Sequence, residues 1–271
     1  MSYAEALEAA LARGAIGGLA EQYLHRARRE TCFGTLVGRD AITAEDLKLA
    51  ATIEPEVSVR VRSCSPSLSI VEIDRPDGSR ERQHRWLARE GERVVRETVV
   101  GAYGGATEGE LHALAAQAPL HPPLGEVRSG RGQLAAGATS WFSDGPGWLL
   151  DALHRIWNGR RFDEIERLYA PGATWSGPDA QSGGPALFRS WIMRLLARHP
   201  DATLLFERAE EVGDSVALLW RLIVHQDGRR CHMLGSSLMA VADGRVIEDE
   251  TVLDLAALEF LAGRPLLAIA R

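Results

Sequence analysis

The chain has few cysteines and no surplus of positive charge. Its three cysteines, Cys32, Cys64 and Cys231, are odd in number, far apart and form no C-x-x-C pair. This favours a reducing compartment and argues against a disulfide framework or a metal site. The net charge is −6, whereas nucleic-acid-binding proteins usually carry a basic surface, so we expect no nucleic-acid partner. The local basic run HRARRE (25–30) is interpreted as a solvated helix face.

Long apolar runs and several catalytic motifs are also missing. No apolar run approaches the length of a membrane span, and MSYAEALEAALARG at the start is typical of an amphipathic helix rather than a targeting segment. We therefore expect a cytoplasmic protein without a membrane partner. The sequence has no P-loop, no G-x-S-x-G, no H-E-x-x-H and no credible dinucleotide fingerprint after a strand. Nucleotide, hydride, serine-hydrolase and zinc-protease chemistry are not indicated, and no cofactor is expected.

What the chain does contain is an internal repeat. When Gly91 is aligned with Gly244, REGERVVRETVV (89–100) matches ADGRVIEDETVL (242–253), and Glu97-Thr98-Val99 falls on Glu250-Thr251-Val252. Each stretch follows a strand, a turn with Asp-Gly and a second strand, a strong signal for a hairpin. Two matching stretches that each follow the same strand and turn pattern indicate that one fold occurs twice in the chain.

The helical segments repeat as well. In the second half, Leu149, Leu153, Ile156 and Trp157 form one helical stripe that Asn158-Gly159 ends, and a later helix begins at Pro185. In the first half, Gly14 separates two apolar helices. There, Thr43 with Asp46 is interpreted as an approximate capping box for a third helix.

Helices followed by a meander of strands predict an α+β fold in each half. We place one domain at residues 1–118, a linker rich in Gly, Ala and Pro at 119–146, and a second domain at 147–271.

Residues from about 150 to 262 resemble the SnoaL-like polyketide cyclase branch of the nuclear transport factor 2-like (NTF2-like) superfamily. The resemblance lies in WNGRRFDEIERLYAPGATWSGPDA, RHPDATLLFERAEEVGDSVALLW and DGRVIEDETVLDLAALEFLAG, in this order. The first half resembles a more diverged copy. The resemblance implies two tandem cone-shaped domains, each with helices packed in a curved antiparallel sheet. It also implies an internal pseudo-dimer of the two domains, with homo-oligomerisation left open.

This superfamily includes cyclases, isomerases, dehydratases, lyases and non-catalytic binding proteins, so the fold does not give the function. Its enzymes share acid/base chemistry in an apolar pocket. The resemblance implies a cofactor-independent enzyme for aldol or retro-aldol chemistry, dehydration or isomerisation. Its substrate would be a small apolar, aromatic or cyclic carbonyl or hydroxy compound. The alternative is a non-catalytic tandem protein for small-ligand binding or scaffolding.

Two histidines are candidates for the acid/base group. The family histidine corresponds to His225 in IVHQDG, while the family aspartate, seven residues before the glycine of the next turn, is replaced by Ser237. The same count from Gly91 gives His84, and an imidazole is a competent base near neutral pH. The loss of aspartate at position 237 favours the non-catalytic alternative. For both histidines, the competing interpretation is a strand residue without a catalytic role.

Two carboxylates of the repeat are further catalytic candidates. Alternation along a strand places Glu97 on a face with Val95 and Val99, and Glu250 on a face with Val246 and Val252. We predict that His84 and Glu97 serve the first pocket, and that His225 and Glu250 serve the second. A salt-bridged structural carboxylate is the alternative. The residues predicted to bind substrate, several of which could equally be core aromatics, are Tyr23, His25, Tyr169, Trp175, Trp191 and Ser237.

Overall fold

The computed structural model describes residues 1–31, 34–78, 80–101, 147–177, 182–226 and 229–254. The chain divides into two compact units, Met1–His121 and Pro122–Arg271, whose described parts are called the first and the second domain. The predicted linker, 119–146, and the bounds beside it lie outside the described residues and stay predictions. Among the helices of the described ranges, none is both long and apolar enough to cross a membrane.

The first domain begins with two helices that Gly14 separates, as predicted. Ser2 caps the first helix, and Gly14 ends it in the left-handed conformation at φ +67°. The elements of this domain are α1 (Tyr3–Arg13), α2 (Ile16–Gln22), β1 (Tyr23–Thr31), β2 (Gly34–Val37), α3 (Arg39–Thr52), β3 (Ser58–Ser65), β4 (Leu68–Asp74), β5 (Arg80–Glu90) and β6 (Arg93–Gly101).

The second domain repeats this order. Its first helix ends before Asn158-Gly159 and its long helix begins at Pro185, both as the sequence predicts. The elements are α4 (Gly147–Trp157), a 3-10 turn (Phe162–Glu164), α5 (Ile165–Leu168), β7 (Tyr169–Ser176), β8 (Ser182–Gly183), α6 (Pro185–Arg198), β9 (Thr203–Val212), β10 (Ser215–Gln226), β11 (Arg229–Ala242) and β12 (Arg245–Leu253).

Both sheets have the same topology over the described residues. The strand order is β2-β1-β6-β5-β4-β3 in the first domain and β8-β7-β12-β11-β10-β9 in the second. The β1–β6 and β7–β12 pairs are parallel and the other pairs are antiparallel. The predicted α+β class and its duplication are confirmed.

The last hairpins of the two domains turn differently, which shifts the repeat by one residue. Glu90 pairs with Arg93, so Gly91 is the first turn residue, at φ +62°. Ala242 pairs with Arg245, and both turn residues have positive φ, +50° at Asp243 and +70° at Gly244, as a type I′ turn requires. The two glycines therefore occupy different turn positions. Counted from the start of each last strand, Glu97 is equivalent to Asp249 and not to Glu250.

A β-bulge in each last strand changes which side chains face inward. Ala240 pairs with Glu248 but Val241 pairs with Val246, which leaves Ile247 as an extra residue. A bulge of one residue reverses the alternation of faces beyond it. The buried Val246 and Asp249 consequently share the inner face, and the prediction that Glu250 shares a face with Val246 is wrong.

Candidate functional site

The interior of the second domain contains a cavity. The space between its lining atoms is about 310 Å³, part of it open to solvent. The enclosed cavity itself is only about 20 Å³, which is room for about one water molecule. The walls are mostly apolar and aromatic: Leu153, Trp157, Phe188, Trp191, Leu204, Phe206, Leu218, Trp220, Ser237, Met239, Asp249 and Thr251.

The side chain of Asp249 is the ionisable group of this described lining. It is fully buried and accepts two hydrogen bonds. The Tyr169 hydroxyl donates to Oδ2 at 2.5 Å, and the Thr251 hydroxyl donates to Oδ1 at 2.9 Å. No ion pair to Asp249 occurs among the salt bridges of the described residues.

The electrostatic setting of Asp249 suits proton transfer. Burial raises its pKa to about 7, and the two hydrogen bonds from Tyr169 and Thr251 offset only part of that effect. A carboxyl with a pKa near the working pH can both take up and release a proton. Desolvated acids of this kind, placed in a cleft, are typical of functional sites.

A chain of hydrogen bonds leads away from Asp249 along the cavity wall. The Thr251 hydroxyl lies 2.8 Å from that of Ser237, and the indole nitrogen of Trp220 donates to Ser237 Oγ at 3.1 Å. Ser237 and Thr251 face each other as cross-strand partners on β11 and β12. With Tyr169, the carboxylate is therefore connected to four polar groups, directly or through this chain.

The aromatic side chains hold the cavity open by packing on one another. Trp157 meets Trp191 edge-on at 6.0 Å and Trp220 at 6.3 Å between ring centroids. Trp175 lies at 5.5 Å from Phe188 and 5.6 Å from Trp191. Contacts of this geometry stabilise the packing of the aromatic wall.

The first domain has a set of buried ion pairs at the equivalent place. Arg29 forms two hydrogen bonds with Asp46, at 2.9 and 2.5 Å, and one with Glu97 at 2.6 Å. Arg85 contacts the same two acids, Asp46 at 2.9 Å and Glu97 at 3.3 Å. All four side chains are at most 2% exposed. We call this set the ion cluster.

Two tyrosines complete the ion cluster. Tyr3 donates to Glu97 Oε1 at 2.5 Å and Tyr23 donates to Oε2 at 2.8 Å. Burial alone would raise the pKa of Asp46 and Glu97, but Arg29 and Arg85 outweigh it and hold both pKa values below their usual range. These acids stay ionised at neutral pH, unlike Asp249.

Three exchanges distinguish the two interiors. The strand registers make Arg29 equivalent to Trp175 and Arg85 equivalent to Ser237. Asp46 is the eighth residue of α3, as Ile192 is of α6. The tyrosine–carboxylate pair persists in both domains, as Tyr23–Glu97 and Tyr169–Asp249. Core and cavity-wall positions of the second domain are thus occupied by buried charged residues in the first.

The structure places the predicted catalytic residues as follows. Glu97 lies in the ion cluster. His84 is fully buried, but its neighbour Arg85 faces the interior, so His84 is on the opposite face of the sheet. A role for His84 in the first interior has no geometric support. Glu250 is half-buried and lies on the opposite face from Asp249. His225 pairs with Arg230 along the backbone, and its side chain lies outside the described part of the structure.

The residues predicted to bind substrate lie in different places. Trp191 and Ser237 line the cavity, and Trp175 packs behind Trp191. Tyr169 holds Asp249, and Tyr23 holds Glu97. His25 is exposed on β1, away from the interior. The substrate-binding roles themselves stay predictions.

Sequence reasoning missed Asp249, Thr251 and Trp220. Asp249 stands beside Glu248 and Glu250, where an acidic run is typical of a solvated edge. The signal that identifies it is the Asp243-Gly244 pair, since a type I′ turn with two positive φ residues fixes the count along the strand. The bulge itself has no clear signature in the sequence.

Comparison with known proteins finds a family similarity in the second domain. Residues 150–249 match the family model of the SnoaL-like domain. No curated protein matches the sequence. Solved structures with similarity include IdmH from Streptomyces antibioticus, proposed to be a polyketide cyclase, at 21% identity and a TM-score of 0.38, over 43% of this chain and 97% of that chain.

Two further solved structures are similar over one domain. TsrD from Streptomyces laurentii has 16% identity and a TM-score of 0.39, over 48% of this chain and 98% of that chain. An NTF2-like protein from Burkholderia pseudomallei has 18% identity and a TM-score of 0.38, over 42% of this chain and 95% of that chain. Residues 150–249 lie in the second domain, so this domain is similar to the SnoaL-like domain, and the shared topology of the two sheets shows that the chain repeats one α+β fold.

Proposed function

We propose that the second domain is a cofactor-independent acid/base enzyme in which Asp249 moves a proton at carbon. The observation that supports this most is the buried carboxyl with a pKa of about 7 in an aromatic cavity. Above that pH the carboxylate takes a proton from a carbon next to a carbonyl, and the resulting acid returns it elsewhere. This step is common to aldol, dehydration and isomerisation reactions.

The cavity walls favour an uncharged, apolar substrate, and because the enclosed space holds about one water molecule, a planar ring enters only if the aromatic side chains move apart. The indole and phenyl walls offer stacking surfaces, and the described lining contains no cation to hold a carboxylate or phosphate. The same lack of a cation leaves the negative charge of the intermediate to be spread by the substrate itself. A conjugated or fused-ring ketone meets both requirements, because its enolate is delocalised.

We further propose that the first domain does not catalyse this reaction. Arg29, Arg85 and Asp46 occupy the places of cavity and core residues, and the acid equivalent to Asp249 is held ionised between two arginines. The scaffolding alternative is thus proposed for the first domain and the enzymatic one for the second.

Hydrogen exchange at carbon tests the proposal without knowledge of the natural substrate. A panel of fused-ring ketones, beginning with 2-tetralone, is incubated with the protein in D₂O, and loss of the α-proton signals is followed by NMR. We expect exchange above the buffer rate, rising with pH around 7 because the base must be ionised. Asp249→Asn should lower the rate at least about 100-fold, the usual contribution of a general base.

Glu250→Gln is the matched control, because it removes a carboxylate one residue away on the other face of the strand. It should leave the exchange rate within about twofold of the wild type. Equal rates for Asp249→Asn and the wild type, or no exchange above buffer with any ketone of the panel, would contradict the proposal.

A further inference from the structure

The hydrogen bonds that end at Asp249 can be ordered from elementary chemistry. An indole N–H can only donate, and a carboxylate can only accept. Trp220 therefore donates to Ser237 Oγ, and Thr251 donates to Asp249 Oδ1 when the acid is ionised. The remaining contact, 2.8 Å between Ser237 and Thr251, is then satisfied by Ser237 donating to Thr251.

This order has one direction. If Thr251 turned its proton toward Ser237, Ser237 would receive two donors, one of which cannot rotate away. The Ser237 hydroxyl would then have to donate to a group outside this row of hydrogen bonds, because Thr251 would no longer accept its proton. Hydrogen bonds in a row polarise one another, so each donor in the ordered chain strengthens the next. The fixed end at Trp220 thus directs the hydroxyl dipoles toward Oδ1.

From this geometry we propose that Thr251, aligned by Ser237 and Trp220, is a positioning residue that favours the ionised, proton-accepting form of Asp249. The proposal rests on the proposed function of Asp249 as the base. The first domain offers a comparison, because Val99 and Arg85 stand in place of Thr251 and Ser237. There the carboxylate is kept ionised by arginines, whereas in the second domain hydroxyl groups offset only part of the effect of burial.

Other charges near Asp249 are few in the described residues. Tyr169 on β7 donates to Oδ2, and its own pKa is raised by burial and by Asp249. Glu250 on the same strand acts through space and raises the pKa of Asp249 slightly. The cavity residues of α4, α6, β9, β10 and β11 carry no ionisable group. A change in the titration of Asp249 after substitution of Thr251 is therefore attributable to the lost hydroxyl.

The test is the titration of the Asp249 carboxyl, observed by ¹³C NMR in protein with labelled aspartate and without any substrate. Thr251→Val should raise the midpoint by about one pH unit, since a hydrogen bond to a charged group is lost. Thr251→Ser keeps the hydroxyl and should restore the midpoint to within a few tenths of the wild-type value. Ser237→Ala should raise it by less than Thr251→Val, because Thr251 still donates.

An unchanged midpoint in Thr251→Val, or a raised one in Thr251→Ser, would overturn the proposal. If Thr251→Val does not fold, Ser237→Ala decides, and an unchanged midpoint there would contradict the chain. The outcome is separable from that of the proposed function. If the midpoint is raised in Thr251→Val but the wild type exchanges no α-protons of the ketones, the role of Thr251 is supported and the proposed reaction is rejected.

Discussion

Replacement of Asp46 by asparagine is expected to destabilise the first domain by about 3–5 kcal/mol. Asp46 is 1% exposed and contacts both Arg29 and Arg85. Without its charge, the two buried guanidinium groups share Glu97, and only Arg29 has a further acid partner, the part-buried Glu45 at 3.2 Å. Removal of one partner from a buried ion pair is costly because the remaining charge has lost both water and its counterion.

Hydrogen exchange at backbone amides measures this effect domain by domain. Asp40→Asn is the matched control, since Asp40 lies on the same helix but its side chain is 91% exposed, and it should cost less than about 1 kcal/mol. Asp46→Asn combined with Arg85→Met restores the charge balance and should recover part of the loss. Equal effects of the Asp46 and Asp40 substitutions would show that the ion cluster does not stabilise the domain.

Asp249→Asn is expected to have the opposite effect on the second domain and to stabilise it at pH 8. The pKa of Asp249 is about 7 in the folded state against an ordinary value of 3.8. Between these values the unfolded chain is ionised while the folded one holds its proton, so stability falls as pH rises from about 4 to about 7. The full loss is on the order of 4 kcal/mol and persists above pH 7.

Asparagine removes this penalty because it cannot ionise. The melting temperature of the second domain should therefore be higher in Asp249→Asn than in the wild type at pH 8, and the difference should be much smaller at pH 4.5, where most of the penalty is absent. Glu250→Gln should show no such divergence. A mutant that is less stable than the wild type at pH 8 would mean that Asp249 is stabilised as an anion in the folded state.

The two domains should consequently respond to pH in opposite directions. Asp46 and Glu97 have lowered pKa values, so their contribution is present above the pKa of the unfolded chain and is lost as pH falls through the folded values. Asp249, in contrast, lowers the stability of the second domain as pH rises from about 4 to about 7. This contrast follows from one difference, whether the buried acid faces arginines or aromatic rings.

The fold was largely predictable because its signals are local. Gly14, Asn158-Gly159 and Pro185 mark helix ends, and the repeated turn–strand pattern predicts the duplicated sheet. Such features depend on backbone conformations that few residues allow.

The site was less predictable because it depends on register. A count of seven residues back from each turn glycine makes His84 the equivalent of Ser237. The strand registers of the two sheets instead make Arg85 the equivalent of Ser237. Because the two turns differ in type and the strand has a bulge, the residue of β12 that faces the interior lies one position earlier than the count predicts. It is Asp249 and not Glu250. A one-residue slip changes the face of every side chain in a strand.

The ion cluster was not predicted, because charged residues in a sequence usually indicate an exposed surface. HRARRE suggested a solvated helix face, yet it lies on β1, where Arg29 is buried between the exposed Arg28 and the half-buried Glu30. Asp46 suggested a helix cap, but α3 begins at Arg39 and Asp46 lies inside it. Buried ion pairs join residues far apart in sequence, and neither partner alone indicates burial.

The central claim is that the second domain holds a carboxyl poised near neutral pH. Its most direct measurement is the ¹³C titration of the Asp249 side chain from pH 4.5 to 9, with the resonance assigned by its absence in Asp249→Asn. We predict a midpoint near pH 7. A midpoint near pH 4, the ordinary value of an exposed aspartate, would contradict the account.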